Sequence, residues 1–287
     1  MLIRCCALAL VLLSNIACLR AQPHPEWRKN HAPFRIIGNL YYVGSEDLAA
    51  YLVATPQGHI LLNENLATSA PQICQNITAL GFKPQDVKVL LNSQTHYDHT
   101  GGLAALKRAT HAQVAVMDAD VATLESGGRD DFFFFNDSSA WFEPVKVDRV
   151  LHDGSQVKLG KTVLTARLTP GHTKGTTTWT LDLPEAGRVR HVVIVGGAGF
   201  NDGNNLVNDP RYPTQAQDFE KTFRTLRALP CDVFLGAHGV YFDLLGKYAR
   251  RQSAKANPFI DPAGYQTFVA ERERIFRAEL ARQATYR

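Results

Sequence analysis

Short apolar runs separated by turn-forming residues make up much of the first part of the chain. The runs Phe34–Val43, Ala50–Ala54 and His59–Asn63 are rich in aliphatic and aromatic residues and predict β-structure. The run Val87–Leu91, which is apolar except for Lys88, predicts a buried strand. Further strands are predicted at Val114–Met117, Val145–Leu151, Val157–Leu159, Thr162–Leu168, Thr176–Leu181, His191–Val195 and Val233–Leu235.

Helical periodicity occurs between these strands. In Ser69–Leu80 the residues Ile73, Ile77 and Leu80 recur at helical spacing, and Gly81 ends the pattern. Further helices are predicted at Leu103–Lys107, Asp118–Glu125, Thr214–Leu229, Leu244–Ala256 and Ala263–Ala284. Each half of the chain has strands followed by helices, which predicts an α+β fold with two packed sheets and helices outside them.

Length and composition indicate one globular domain. A chain of 287 residues can bury a large core, and its 45% hydrophobic content is ordinary. No Gly/Ser-rich or Pro-rich linker divides it, so we expect a single domain over residues 22–287. The formal net charge of +4 falls to +2 without residues 1–21, which carry Arg4 and Arg20 and no acid. Because this charge is weak, we expect no nucleic-acid partner.

The N-terminus has the pattern of a secretory signal peptide. Residues 1–21 combine Arg4, a following apolar stretch and the small residue Ala21. The apolar stretch is too short to span a bilayer stably. We therefore expect cleavage after Ala21, a periplasmic location and no membrane attachment of the processed chain. A lipoprotein signal at Ile16-Ala17-Cys18 is a weaker alternative, because Asn15 stands where a large apolar residue is needed.

The processed chain would keep two cysteines. Three of the five cysteines lie in the signal segment, which leaves Cys74 and Cys231. We expect both to be buried free thiols, since they are far apart and the sequence gives no sign that their geometry permits a disulfide. The polar, Pro-containing segment Gln22–Pro33 is expected to be loosely ordered.

Several potential metal ligands lie in the loop between the Val87–Leu91 strand and the following helix. Within Gln94–Gly102, His96, Asp98 and His99 offer two imidazoles and a carboxylate within four positions. Nitrogen and oxygen ligands of this kind favour zinc. A polar surface loop could also collect such residues by chance.

Two distant histidines share the same context. His172 and His238 each follow an apolar strand and lie in a loop of small residues. If the strands are neighbours, their ends bring these side chains to one edge. The other histidines are expected on the surface or in packing: His24, His31, His59, His111, His152 and His191.

The segment 126–142 contains four consecutive phenylalanines, Phe132–Phe135. No strand or helix buries four adjacent rings, so some of them must face a cavity or a partner surface. One interpretation is a loop held by two rings in the core. The other is an apolar wall of a ligand pocket.

With these residues the chain resembles the metallo-β-lactamase fold superfamily, whose motif is H-x-H-x-D-H followed by later histidines. It is more narrowly similar to the subclass B3 zinc β-lactamases, in which Asp-His, as in Asp98-His99, replaces the Asp-Arg of the other subclasses. There is also no cysteine between His172 and Cys231, where those subclasses place a zinc-binding thiolate. Further matching segments are Ser126-Gly127-Gly128, Leu151-His152-Asp153-Gly154, Leu168 to Gly175 and Leu235-Gly236-Ala237-His238.

The resemblance implies a four-layer αβ/βα sandwich that binds up to two zinc ions. The implied first zinc site consists of Gln94, His96 and His172, and the implied second site of Asp98, His99 and His238. Zinc lowers the pKa of its bound water to about 7, so that hydroxide is available at neutral pH without a protein nucleophile. Asp98 is the expected catalytic residue, because it would orient this hydroxide. Phe134, Gly197 and Asn201 are the expected substrate contacts.

The departures from the family pattern also carry predictions. Gln94 replaces the first motif histidine, so the first site is expected to bind zinc more weakly than the second. Gly197 stands where the subclass often has serine, and Tyr265 stands where members often have a cysteine that pairs with the one at Cys231. Glyoxalase-type hydrolases carry a metal-bridging Asp near the end of the strand that corresponds to Val192–Val195. This chain has Gly196-Gly197-Ala198-Gly199 there, which argues against the glyoxalase-like branch.

The function implied by the resemblance is opening of the β-lactam ring of penicillins, cephalosporins or carbapenems by a monomeric, exported enzyme. A related metal-dependent hydrolase of another ester, lactone or thioester is the first alternative. A non-catalytic zinc-binding protein of the same fold is the second.

Overall fold

The structure, a computed structural model, describes residues 24–285. The predicted signal segment 1–21 lies outside the described residues. Twelve strands in this part of the chain form two sheets, and seven α-helices accompany them. The predicted α+β sandwich is thereby confirmed.

The first sheet has seven strands in sequence order. Strands β1 to β4 pair antiparallel, whereas β4 to β7 pair parallel. Its strands are β1 (Phe34–Ile37), β2 (Leu40–Tyr42), β3 (Tyr51–Thr55), β4 (Gly58–Leu62), β5 (Val87–Leu91), β6 (Gln113–Met117) and β7 (Arg149–Leu151).

The second sheet has five strands in the order β12-β11-β10-β9-β8. All pair antiparallel except β11 and β12, which are parallel. Its strands are β8 (Gln156–Leu159), β9 (Thr162–Leu168), β10 (Thr177–Glu185), β11 (Arg188–Val195) and β12 (Val233–Gly236).

Helices cover both outer faces of the sandwich. Helices α1 and α3 pack on the first sheet through an apolar cluster that includes Ile73, Leu103 and Leu90. Helices α5 and α7 pack on the second sheet, where Phe219 and Phe276 belong to the large apolar cluster that also includes residues of both sheets. The helices are α1 (Ala70–Ala79), α2 (Tyr97–Thr100), α3 (Leu103–Thr110), α4 (Val121–Ser126), α5 (Gln215–Ala228), α6 (Leu244–Arg250) and α7 (Pro262–Thr285).

The carboxyl ends of several strands meet at one edge of the sandwich. In the first sheet β2, β4, β5 and β6 run in the same direction, and in the second β9, β11 and β12 do. Hydrogen bonds join the two sheets here: Trp179 Nε1 donates to Asn92 O at 2.9 Å, and Tyr51 Oη donates to Gly236 O at 2.6 Å. The loops that follow these strands therefore lie near one another at this edge.

Two expectations about local order were wrong. The segment expected to be loose instead forms a 3-10 helix at Pro25–Trp27, and His31 is buried. Cys74 and Cys231 are free, as predicted, but each is only half-buried. Burial raises the pKa of the Cys231 thiol to about 12.

No helix among residues 24–285 is long and apolar enough to cross a membrane.

Candidate metal centre

A single helical turn presents three of the predicted ligands. His96 precedes α2, and its carbonyl oxygen accepts hydrogen bonds from the backbone N–H groups of His99 and Thr100, both at 3.0 Å. The Thr100 hydroxyl donates to the same oxygen at 2.7 Å. This turn fixes the spacing between His96 and the pair Asp98-His99.

Close backbone packing holds this turn against the loop after β4. A Cβ atom at Gly102 would overlap the carbonyl oxygen of Glu64, and one at Gly101 would lie 2.6 Å from Ala67 N. Larger residues at these two positions would push the turn away from the sheet. The glycine pair that ends the motif is therefore a packing requirement of the metal loop.

The structure brings His96 and His172 together. His96 Nδ1 lies 3.2 Å from His172 Nε2. Gln94 is buried in the same loop as His96, and its Oε1 has no hydrogen-bond partner among the described residues. These are the three side chains expected at the first site.

The structure also brings Asp98, His99 and His238 together. The Nε2 atoms of His99 and His238 are 3.2 Å apart, and Asp98 Oδ2 lies 3.3 Å and 3.5 Å from them. These three residues form a group that could hold a metal ion. They are the side chains expected at the second site.

The donor set fits a metal ion. His172 Nδ1 lies 2.8 Å from the Gly199 carbonyl oxygen and must carry a proton to bond it. His96 Nε2 lies 3.3 Å from a carboxylate oxygen of Asp131, and although burial opposes the positive form of His96, this carboxylate raises its pKa. His96 Nδ1 and His172 Nε2 face each other at 3.2 Å, so that they can share a proton or hold a cation between them. Zinc bonds of 2.0–2.1 Å in a tetrahedron give ligand separations of about 3.3 Å, similar to those in both groups.

Three groups that orient the ligand histidines were missed in the sequence. They are Asp131 beside His96, the Gly199 carbonyl beside His172, and Asp47, whose Oδ2 lies 2.9 Å from His238 Nδ1. Asp47 follows β2 at the same edge as the metal loops, so the strand-end rule applied to His172 and His238 would have found it. Partners of this kind fix the tautomer and orientation of a metal-binding imidazole.

A fourth missed residue, Asp120, joins two metal-bearing loops. Its carboxylate accepts hydrogen bonds from the Thr173 hydroxyl at 2.8 Å, Gly175 N at 2.7 Å and Thr95 N at 3.2 Å. Thr95 belongs to the loop after β5, and the other two belong to the loop after β9. Asp120 therefore holds the two loops at a fixed separation.

The ionisable side chains of the site differ in the charge that their surroundings favour. Burial lowers the pKa of His99 to about 4 and that of His172 to about 3. Burial also opposes ionisation of Asp98, but the adjacent imidazoles lower the pKa of this carboxyl below its usual range. Burial acts against the positive form of His238, yet Tyr241 and the two adjacent carboxylates raise its pKa well above 6.5. Asp98 is thus an ionised carboxylate within the ligand set.

Two of the three expected substrate contacts lie beside metal ligands. The Phe134 ring is 5.0 Å from the His96 ring, edge to face, and a Cβ at Gly197 would lie 3.1 Å from the His172 ring. Asn201 is not brought to a ligand: its backbone bonds Asn204 in its own loop, and its side-chain nitrogen is buried without a partner among the described residues.

The four rings of the phenylalanine run differ in burial. Phe132 is buried with its ring 4.8 Å from Tyr212, whereas the other three rings are half-buried. Phe135 lies under the guanidinium of Arg211, which is 3.4 Å from the ring centroid. One ring rather than two therefore anchors the loop in the core.

The N-terminal segment also contacts the site. The indole nitrogen of Trp27 donates to Asp47 Oδ2 at 3.0 Å, and its ring lies 5.8 Å from His238 and 6.3 Å from Tyr97. Asp47 Oδ1 accepts a hydrogen bond from Val240 N at 2.9 Å. Trp27 therefore contributes to the group that orients His238.

Comparison with known proteins gives a consistent result. The family model described as "Metallo-beta-lactamase superfamily" matches residues 49–238. The FEZ-1 metallo-beta-lactamase from Legionella gormanii is 47% identical, with a TM-score of 0.89 over 90% of this chain and 98% of that one. The class B3 di-zinc metallo-beta-lactamase LRA-12 from an Alaskan soil metagenome is 35% identical, with a TM-score of 0.84 over 88% and 96%.

A more distant relative comes from another branch. A hydroxyacylglutathione hydrolase from Polaromonas sp. is 32% identical over 124 residues, which are 43% of this chain. The matched part covers only 38% of that relative's length.

Proposed function

The chain belongs to the metallo-beta-lactamase superfamily, and from this premise we propose that it is a zinc-dependent hydrolase that opens the β-lactam ring of penicillins, cephalosporins or carbapenems. The similarity to FEZ-1 and LRA-12 over nearly their whole lengths supports this assignment. Hydrolysis of these compounds would confer antibiotic resistance on the cell.

The observation that carries the proposal is the pair of facing imidazole groups in the cleft. His96 with His172, and His99 with His238, each point two ring nitrogens at one another at 3.2 Å. We propose that Gln94, His96 and His172 hold one zinc ion and that Asp98, His99 and His238 hold a second, with up to two ions per chain.

Bound zinc and Asp98 would have different roles in the reaction. Bound zinc supplies a Lewis acid and makes hydroxide available at neutral pH. Asp98 is ionised and would accept a hydrogen bond from the attacking water. This bond would orient the water so that a lone pair on the water oxygen points at the lactam carbonyl carbon. Because Asp98 accepts this bond, it can also receive the proton and pass it towards the ring nitrogen as the C–N bond breaks.

The walls of the cleft would hold the substrate. Phe134 offers an apolar face beside His96, and Gly197 leaves room beside His172. We propose that the Phe132–Phe135 loop and the loop after β11, including Asn201, flank the bound β-lactam from two sides.

The proposal is tested by turnover of a chromogenic cephalosporin, with purified protein before and after metal removal. We expect His238→Ala to lose nearly all activity and His191→Ala, which changes an exposed histidine paired with Asp182, to retain it. Full activity after prolonged chelation would overturn the assignment, and so would a covalent acyl-enzyme detected by mass spectrometry.

A thioester hydrolase is the second candidate, because the hydroxyacylglutathione hydrolase matches part of the chain. Against it, the strand β11 is followed by Gly196, where a Cβ would clash with Thr177 O, and not by an acid. Comparing kcat/KM for S-lactoylglutathione and a cephalosporin decides between the two. We expect the cephalosporin to be preferred.

We also propose that the protein is exported to the periplasm after cleavage following Ala21, supported by the arrangement of Arg4, the apolar stretch and Ala21. N-terminal sequencing of the protein from a periplasmic extract is the test. A mature chain that begins before Ala21, or that carries a lipid on Cys18, would contradict it.

A further inference from the structure

The carboxylate of Asp131 bonds two parts of the molecule at once. Asp131 is 3% exposed. Its Oδ1 accepts hydrogen bonds from the backbone N–H groups of Phe133 at 2.8 Å and Phe134 at 2.6 Å. Its Oδ2 lies 3.3 Å from His96 Nε2. One buried side chain therefore ties the start of the aromatic loop to a ligand of the first metal site.

The aromatic loop touches His96 by a second, direct route. The Phe134 ring meets the His96 ring edge to face at 5.0 Å. The same ring lies 6.1 Å from Tyr97 in the metal loop. The Phe134 amide is bonded to Asp131, and the Phe134 ring packs against the His96 ring. Movement of Phe134 would therefore disturb the His96 ring.

We propose that Asp131 is a positioning residue that couples the aromatic wall of the cleft to occupancy of the first metal site. This inference rests on the proposed zinc site. A cation held by His96 would make the imidazole ring more positive, which would strengthen the attraction between its Nε2–H edge and the Asp131 carboxylate oxygen 3.3 Å away. The carboxylate is then held more firmly, and so are the two loop amides that donate to it. Loss of the metal from the first site loosens the wall as well.

Coupling of this kind is reciprocal. A change that orders the aromatic loop raises the zinc affinity of the first site by the same factor by which zinc stabilises the ordered loop.

Asp131→Asn separates the two functions of the carboxylate. Oδ1 of the asparagine can still accept from the loop amides, but its NH2 group now faces His96 Nε2. Two donors then oppose each other, and the His96 ring is driven to the tautomer with the proton on Nδ1, the nitrogen that faces His172. Asp130→Asn is the matched control, because it removes the same charge from the adjacent, exposed residue.

The experiment combines hydrogen exchange with zinc competition. In wild type, we expect zinc to slow exchange at the Phe133 and Phe134 amides. In Asp131→Asn, that dependence should disappear, and the affinity of the weaker zinc site against a chromogenic chelator should fall roughly 10- to 100-fold. Asp130→Asn should behave as wild type in both measurements.

The outcomes separate this inference from the proposed function. If wild type binds zinc while exchange at Phe133 and Phe134 stays unchanged, the coupling is wrong and the metal site stands. If Asp130→Asn lowers the affinity as much as Asp131→Asn, charge alone is responsible and the positioning role is wrong. Failure of wild type to bind zinc would overturn both. The wild-type exchange measurement decides even if Asp131→Asn does not fold.

Discussion

Glu64 should make the protein less stable as the pH rises. Its side chain is fully buried, and neither carboxyl oxygen has a hydrogen-bond partner among the described residues. Burial raises the pKa of Glu64 well above its ordinary value of 4.5. The folded protein therefore retains a proton that the unfolded chain releases.

The size of the effect follows from this difference. Between the ordinary pKa and the raised pKa, each pH unit lowers the free energy of unfolding by about 1.4 kcal/mol. From pH 5 to pH 7 the loss can reach about 3 kcal/mol, a substantial part of the roughly 5–15 kcal/mol that stabilises a typical domain. The stability is present at low pH and is lost as the pH rises, opposite to the behaviour of a salt-bridged acid.

Glu64→Gln removes the proton and keeps the shape of the side chain. The Glu64 backbone N–H donates to His99 O at 2.9 Å, and this bond is unaffected by the change. We expect the variant to match wild type near pH 5 and to be more stable by up to about 3 kcal/mol at pH 7.

Denaturant unfolding of zinc-saturated protein at several pH values measures this difference. The pH dependence of zinc binding cancels when the variant is compared with wild type. Glu220→Gln, on the half-exposed surface of α5, is the matched control and should change little at any pH. Equal pH slopes for wild type and Glu64→Gln would refute the reasoning, because Glu64 would then ionise in the folded state at no cost.

Three further predictions concern the metal centre and its walls. Gln94→His should tighten the weaker zinc site by at least roughly tenfold and narrow the gap between the two affinities; two equally tight sites in wild type, measured by chelator competition, would contradict sequential filling. Trp27→Phe removes the indole donor to Asp47 and should weaken the second zinc site several-fold. The control Trp141→Phe should leave the zinc affinity unchanged, because the Trp141 indole nitrogen has no partner among the described residues. Equal zinc affinities in both variants would argue against this role for Trp27. Phe134→Ala, assayed at saturating zinc, should raise KM roughly 2- to 10-fold with little change in kcat, since a wall contact binds substrate and transition state alike; a loss confined to kcat would count against a wall.

Local sequence patterns predicted two strands with their observed bounds and missed the ends of exposed elements. The runs Val87–Leu91 and Thr162–Leu168 match β5 and β9 residue for residue. The β10–β11 hairpin extends to a turn at Ala186 and Gly187, both with positive φ, through residues too polar to indicate a strand. Helix α6 was predicted to reach Ala256 but ends at Arg250, because the following residues offer no apolar side chain to bury.

The predicted ligands share a local context in the sequence, whereas no local pattern pairs each of them with the group beside it. His96, His172 and His238 each follow a strand in a loop of small residues. Asp47 and His238 are 191 positions apart, and no periodicity connects an acid to an imidazole over that distance. The contribution of Trp27 was hidden in the same way, since its segment is polar and contains prolines and only the tertiary contacts order it.

The groups beside the predicted ligand histidines come from the segments that we propose as walls of the substrate site. Asp131 belongs to the aromatic loop, Gly199 to the loop after β11, and the Asp47–Trp27 pair joins the N-terminal segment to His238. A substitution that reshapes a wall will therefore also change the orientation of an imidazole, and with it the zinc affinity. Under limiting zinc such a variant loses kcat through loss of metal, even where its direct effect is on substrate binding. Kinetic constants of wall variants separate the two effects only when zinc is saturating, and a kcat that recovers as zinc is added identifies the residue as one that acts through the metal ligands.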